Sequence, residues 1–188
     1  MQTAYIGMGG NLASWAGPPE LTFIAAALRL QSLGRITARS SLYSTEPMGF
    51  ADQPRFVNAV VALETELAPR QLLRSLMAIE KDFGRDRSAG VVNGPRTLDL
   101  DILLFDQLIV HEPGLEIPHP RLADRAFVLV PLVEIAPQIA DPSSGRTMSQ
   151  LLEDLFPASE SKSHAVFKLH SDDWRIDADR GDTRSGTA

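Results

Sequence analysis

The chain has no cysteine among its 188 residues, which excludes disulfides and thiolate catalysis and leaves zinc only histidine and carboxylate ligands. With four histidines available, a structural zinc site is poorly supplied. Positive charge is also in the minority, 18 Lys and Arg against 24 Asp and Glu for a net charge of −6. That balance disfavours a broad phosphate-tracking surface for nucleic acid, so any basic site must be local. No run approaches the ~20 apolar residues of a membrane span, and the opening MQTAYIGMGGNL lacks the basic head and long apolar segment of a signal peptide. A cytoplasmic, unembedded protein with small-molecule ligands, monomeric in solution, is the expectation. GxxxxGK[ST] is missing, which excludes a P-loop. GMGGNL starts like a dinucleotide fingerprint, but Leu12 stands where the third glycine belongs.

What is present fits one well-buried core rather than two. Residues 3–8 have strand character and run into Gly9-Gly10-Asn11, which reads as a turn. A helical pattern follows from Leu21 to Leu33, with Pro18, Pro19 and Glu20 at its start and Gly34 at its end. RITARSSLYSTEP reads as one strand ending at Pro47, and FVNAVVALETEL as another. APRQLLRSLMAIEKDFG is a helix with Pro in its first turn. RDRSAGVVNGP is a loop, and RTLDLDILLFD a strand. The order βαββαβ predicts an α+β, ferredoxin-like antiparallel sheet with helices packed on one face. Beyond it come QLIVHE as a hairpin partner and the extra C-terminal helices AFVLVPLVEIAP and MSQLLEDLF. Residues 1–157 are expected to form the domain and 158–188 a weakly ordered polar tail, in which only AVFKL and Trp174 offer apolar surface.

The stretch GPRTLDLDILLFD places Asp99 and Asp101 two residues apart in a strand, so both share a face while Leu98, Leu100, Ile102 and Leu104 point to the core. Roughly 6.5–7 Å between their Cα atoms suits a pair of divalent ions ~3.5–4 Å apart. Oxygen-only ligands favour Mg²⁺. An ordinary solvent face of an antiparallel strand is the competing reading. Arg85, Arg87 and Arg96 lie nearby in sequence, and guanidinium forks match phosphate oxygens. Arg85 and Arg87 could equally be a solvated helix end. Glu80, in the last turn of its helix, reads as either a ligand or a paired surface charge. Asn58 in an apolar strand needs a partner if buried, supplied by a ligand or by the protein, and Phe56 shares its face. IPHPRLADRAF gathers His119, Arg121, Arg125 and Phe127 ahead of a helix.

AYIGMGGNL, YSTEPMG, DQPRFVNAVVALET, IEKDFGRDR, GPRTLDLDILLF, IPHPRL and RAFVLVPLVEIAP follow one another from about Ala4 to Phe156. In this series the chain resembles the 6-hydroxymethyl-7,8-dihydropterin pyrophosphokinases of folate biosynthesis. The resemblance implies transfer of pyrophosphate from ATP to the pterin hydroxymethyl group, releasing AMP, on a ferredoxin-like fold. It implies that Asp99 and Asp101 hold two Mg²⁺ ions, and that Phe56 and Phe127 sandwich the pterin beside Asn58, Thr45, Pro47 and Met48. It implies that Glu80, Arg96, Ile102, His119 and Arg125 bind ATP, and that Arg85 and Arg87 belong to a catalytic loop. Two departures stand out. Val92 and Asn93 precede GPR where the family usually has a basic residue followed by an aromatic or Asn, and Phe56 replaces a frequent tyrosine. A pterin-binding module without catalysis, or a phosphohydrolase using the same aspartates, are the alternatives.

Overall fold

The computed structural model describes residues 1–47, 52–86, 94–156, 166–171 and 174. In chain order the elements are β1 (Gln2–Gly10), α1 (Pro19–Leu30), β2 (Arg35–Arg39), β3 (Tyr43–Thr45), β4 (Phe56–Thr65), α2 (Pro69–Asp82) and β5 (Asp99–Phe105). They are followed by β6 (Val110–Glu112), β7 (Leu115–Ile117), α3 (Ala126–Ile135), α4 (Met148–Leu155) and β8 (Phe167–Lys168). The main sheet runs β5-β1-β4-β3-β8, with β2 also on β4, and its pairings are antiparallel. β1 and β4 are therefore central and β5 lies at an edge.

Three sequence expectations change. The strand begun at Thr3 does not turn at Gly9, because both Gly9 and Gly10 are paired to β4. The segment 35–47 is two strands rather than one. At the break, Ser40 donates its N–H to the Val60 carbonyl (2.9 Å) and takes the Val60 N–H on its hydroxyl (2.9 Å), while Ser41 turns to Glu134 of α3. These side-chain bonds replace the ladder locally. QLIVHE does not pair with the strand before it. Its Val110–Glu112 joins Leu115–Ile117 in a separate small sheet.

Helices cover both faces of the sheet. On one face, Phe23, Ala27 and Leu30 of α1 and Leu72, Leu76 and Ile79 of α2 pack on Ile6, Met8, Leu98, Leu100 and Ile102. On the other, Val128, Leu129 and Leu132 of α3 and Met148 and Leu151 of α4 pack on Val60, Leu103 and Leu104. Burial on both sides accounts for the near-continuous apolar run of β4, a strand without a solvent face. Leu104 consequently departs from its expected core. A register shift opposite Tyr5 and Ile6 inserts one residue, and the alternation of β5 flips after Ile102.

The chain after α4 also reaches the sheet. β8 pairs with Tyr43 and Ser44 of β3. Trp174 is buried beside Phe23 and its indole N–H donates to the Ser40 carbonyl (2.6 Å). No helix among the described residues is long and apolar enough to cross a membrane.

Candidate active site

The cleft is built on the face covered by α3, at the end of the sheet where that helix begins. Its floor is a cross-strand row. Gly9 of β1 sits opposite Asn58 of β4 on one side and Asp99 of β5 on the other, and Gly7 likewise lies between Val60 and Asp101. A Cβ at Gly9 would stand 3.5 Å from Asn58 Oδ1 and 3.8 Å from Asp99 Cβ. Any longer side chain would fill the space between amide and carboxylate. Gly9 thus leaves open the strip of sheet between Asp99 and Asn58, whereas at Gly7 the Leu103 side chain takes the space, 3.2 Å from where a Cβ would stand. Strand spacing alone hints at them, since Gly7 and Gly9 alternate with buried Ile6 and Met8. Read as a turn, Gly9-Gly10-Asn11 concealed the role of Gly9.

Gly10 has a different constraint. An added Cβ would come within 2.5 Å of the Thr97 carbonyl oxygen, a clash with backbone that only glycine avoids. This close approach lets the ends of β1 and the GPRT segment knit together. The Arg96 carbonyl accepts the N–H groups of Asn11 (2.9 Å) and Leu12 (3.1 Å), and Asn11 Oδ1 takes the Arg96 N–H (2.9 Å). Asn11, buried and unforeseen in the sequence, also donates to Gln53 and to the Pro54 carbonyl, both at 3.0 Å. Arg96 is thereby held over the cleft. Its Nε lies 3.0 Å from Asp99 Oδ2 and its guanidinium 4.7 Å from the centre of the Phe56 ring.

Arg85 neutralises the same carboxylate from the other side. It pairs with Asp99, approaches Glu80 at 3.5 Å and donates to the Leu98 carbonyl (3.1 Å), reaching round the β5 edge. Glu80 is not a surface charge. It is 1% exposed and accepts the Leu100 N–H (2.8 Å), capping an edge-strand donor.

Beyond Arg96 opens a cavity of about 210 Å³ lined by Thr45, Glu46, Phe56, Asn58, Arg121, Asp124, Arg125 and Phe127, besides Arg96 itself. Both aromatics expected at the site line it. The buried Asn58 is satisfied by protein, its Nδ2 donating to Thr45 Oγ1 (2.8 Å). A smaller recess holds Asp99 and Asp101 and shares Asn58, Arg96, Arg125 and Phe127 with the main cavity. Phe127 occupies the first turn of α3 and Arg125 precedes it as N-cap, with its guanidinium 5.4 Å from the Phe127 ring. Pro47 lies just past β3, separated from Thr45 by Glu46. Ile102 is buried among α1 and α2 residues on the far face, so its side chain does not enter the cleft. Met48, Arg87, Val92 and Asn93 lie outside the described residues.

His119 is fixed by its main chain, which donates to the Leu103 carbonyl (2.9 Å), while its Nδ1 accepts the Arg121 N–H (3.1 Å). That bond places the proton of the neutral ring on Nε2. Burial, with Arg125 and Arg121 adding to it, lowers its pKa from 6.5 to about 4. The unfolded chain takes up this proton first, so the stability held above pH 6.5 is lost as pH falls toward 4. Melting curves between those pH values should decline less steeply for His119→Gln than for the parent; parallel declines would refute the assignment.

Among the described residues no group of three or more His, Asp or Glu side chains converges to form a self-sufficient metal cage. The donor set instead suits Mg²⁺, which needs only one or two protein carboxylates when phosphate and water complete its shell. Asp99 and Asp101 supply those, beside Gly9, which leaves room.

Fold and cleft together define an α+β protein whose sheet carries paired carboxylates, arginines and an aromatic–amide pocket on one face. Such a face is suited to an anion beside a flat polar ring. A family model described as 7,8-dihydro-6-hydroxymethylpterin-pyrophosphokinase (HPPK) matches residues 5–137. The chain is 46% identical over 154 residues to the 2-amino-4-hydroxy-6-hydroxymethyldihydropteridine pyrophosphokinase of Pseudomonas aeruginosa, covering 81% of this chain and 91% of that protein. With the protein of the same description from Haemophilus influenzae it shares 40% over 171 residues, 90% of this chain and 99% of that one. This chain belongs to the HPPK family. Among solved structures, wild-type HPPK-DHPS of Plasmodium falciparum with pteroate is similar in fold, with a TM-score of 0.69 at 14% identity. The similarity covers 90% of this chain and 48% of that one, so this chain spans about half its length.

Proposed function

We propose that this protein transfers the pyrophosphoryl group of ATP to the hydroxymethyl group of 6-hydroxymethyl-7,8-dihydropterin, releasing AMP, as a step of folate synthesis. The observation that carries the reading is the row Asn58–Gly9–Asp99, which joins an aromatic–amide cavity directly to a carboxylate pair. Family membership supports the same reaction. We take the strand order β5-β1-β4-β3 with its two α crossovers as ferredoxin-like.

The pterin ring lies in the cavity between Phe56 and Phe127, its edge read by Asn58, Thr45 and the backbone at Pro47 and Met48. Asp99 and Asp101 hold two Mg²⁺ ions. Bound there, Mg²⁺ supplies Lewis acidity to phosphate oxygens and offsets the charge that builds on the leaving oxygen. Arg85, Arg87, Arg96 and Arg125 clamp the polyphosphate, Glu80 and the β5 edge at Ile102 border the nucleotide, and neutral His119 offers an Nε2–H donor. The hydroxymethyl oxygen forms a bond to the β-phosphorus as the bond from that phosphorus to the α-phosphate bridging oxygen breaks. AMP departs with that oxygen, and the hydroxyl proton passes to water. No side chain stands out as a base, in keeping with a transfer accelerated chiefly by positioning and charge neutralisation.

Residues 1–157 form the catalytic unit in this reading, to which the later segment adds β8 and Trp174 without chemistry of its own. We take the enzyme as cytoplasmic and monomeric, a reading with which the acidic net charge and the lack of cysteine are compatible. The test is AMP formation by the purified chain with ATP, Mg²⁺ and the hydroxymethyl-dihydropterin. AMP produced only with pterin present is expected. Pterin binding without AMP would make it a binding module, and phosphate release without pterin a hydrolase.

A further inference from the structure

Arg121 has no part in the roles above, yet it lines the main cavity with Arg96 and Arg125. It does not line the recess that holds Asp99 and Asp101, so it stands on the pterin side of the cleft. Its position is built rather than incidental. The turn that carries it is tied down by His119 N–H to the Leu103 carbonyl (2.9 Å), Leu122 N–H to the His119 carbonyl (2.9 Å) and its own N–H to His119 Nδ1 (3.1 Å). Leu122 anchors the same turn in the core beneath α3.

The charge balance is uneven. Arg96 and Arg85 share Asp99, whereas no ion pair or hydrogen bond engages the Arg121 guanidinium among the described residues. Burial lowers the pKa of both Arg125 and His119, and the nearby positive charge of Arg121 adds to it. Holding two like charges at one cavity mouth costs free energy unless an anion joins them. Of the cavity's carboxylates, Glu46 is paired with Arg55 at 3.1 Å, and Asp124 is exposed beside Arg121 in the same turn.

Resting on the transfer reaction proposed above, we infer that Arg121 is a binding residue for the pyrophosphoryl group itself. It grips that group from the pterin side and keeps its hold once the group is joined to the pterin. The ligands it recognises therefore share a terminal diphosphate. AMP and the free pterin, which lack one, do not engage it.

The experiment compares dissociation constants of Arg121→Ala and Arg121→Lys with the parent for four probes, namely ATP, the pterin diphosphate, AMP and the hydroxymethyl-dihydropterin, all with Mg²⁺. Loss of a charge-assisted contact should weaken ATP and the pterin diphosphate about 10–100-fold in Arg121→Ala. Arg121→Lys should recover part of that loss, and AMP and pterin should stay within about twofold of the parent, a span worth under ~0.5 kcal/mol. Equal losses for AMP or free pterin would overturn the inference by marking a structural effect, and so would unchanged binding of both diphosphates. A parent that binds these ligands but forms no AMP would instead overturn the reaction while leaving this contact measurable.

Discussion

On the function proposed above, replacing Asp99 or Asp101 by asparagine should lower turnover by on the order of 10³-fold or more, because either change would remove a charged metal ligand where the transfer needs several kcal/mol of charge stabilisation. Asparagine keeps the size of the side chain, so the strip of sheet around Gly7 and Gly9 retains its shape. Asp99→Asn has a second consequence. Its carboxylate faces both Arg85 and Arg96, and its loss would remove that counter-charge from Arg96 while leaving Arg85 with Glu80, 3.5 Å away. A stability loss of about 1–2 kcal/mol accompanies it, less than for a fully buried pair because both arginines retain some solvent contact. Steady-state AMP production, Mg²⁺ titration and melting of the two variants check this together. Turnover near the parent's in both would remove the carboxylate pair from the chemistry.

Trp174→Ala is the other large effect, and it falls on stability. Trp174 is 1% exposed, meets Phe23 edge-on at 6.3 Å and donates to the Ser40 carbonyl. Truncating a buried tryptophan costs about 3–5 kcal/mol, and here the Ser40 carbonyl also loses its donor. For a chain of this length that corresponds to a fall of roughly 10 °C in Tm. Trp174→Phe, which keeps most of the apolar contact but not the N–H, should lie between. A chain ending at Phe156 should melt at least as early as Trp174→Ala, since it also loses β8 and the 2.9 Å contact of Lys168 with Glu134. Melting unchanged in both would mean that this tryptophan does not support the core.

The two effects separate the molecule's parts. Asp99 and Asp101 border the recess beside Gly9, and on the proposed function changing them should affect chemistry more than folding. Trp174 sits on the α1 side of the sheet, where packing is dense, and changing it affects folding. Ser40 links the two, because its hydroxyl and N–H pair with Val60 of β4 while its carbonyl receives Trp174.

Sequence alone determined where helices and extended segments fall through β5, though not the break between β2 and β3, and it marked the aspartate pair, because these depend on local periodicity and on residue chemistry. Asp99 and Asp101 share a face by the two-residue repeat of any strand, and Phe56 and Asn58 share theirs for the same reason. Tertiary structure alone decided what register and crossover bring together. That Gly9 stands between Asn58 and Asp99 depends on how β4 and β5 each slide against β1, which no local pattern encodes. The flip of Leu104 into the second core comes from one inserted residue in that pairing. Burial of Glu80 and Trp174 depends on long-range partners, the Leu100 amide and the Ser40 carbonyl, so the sequence left Glu80 open between ligand and surface charge and placed Trp174 in a weakly ordered tail. Arg121 belongs with them: the sequence grouped it with His119, Arg125 and Phe127 without assigning it a role, and its place at the main cavity depends on the turn from His119 to Leu122 being tied to Leu103 of β5.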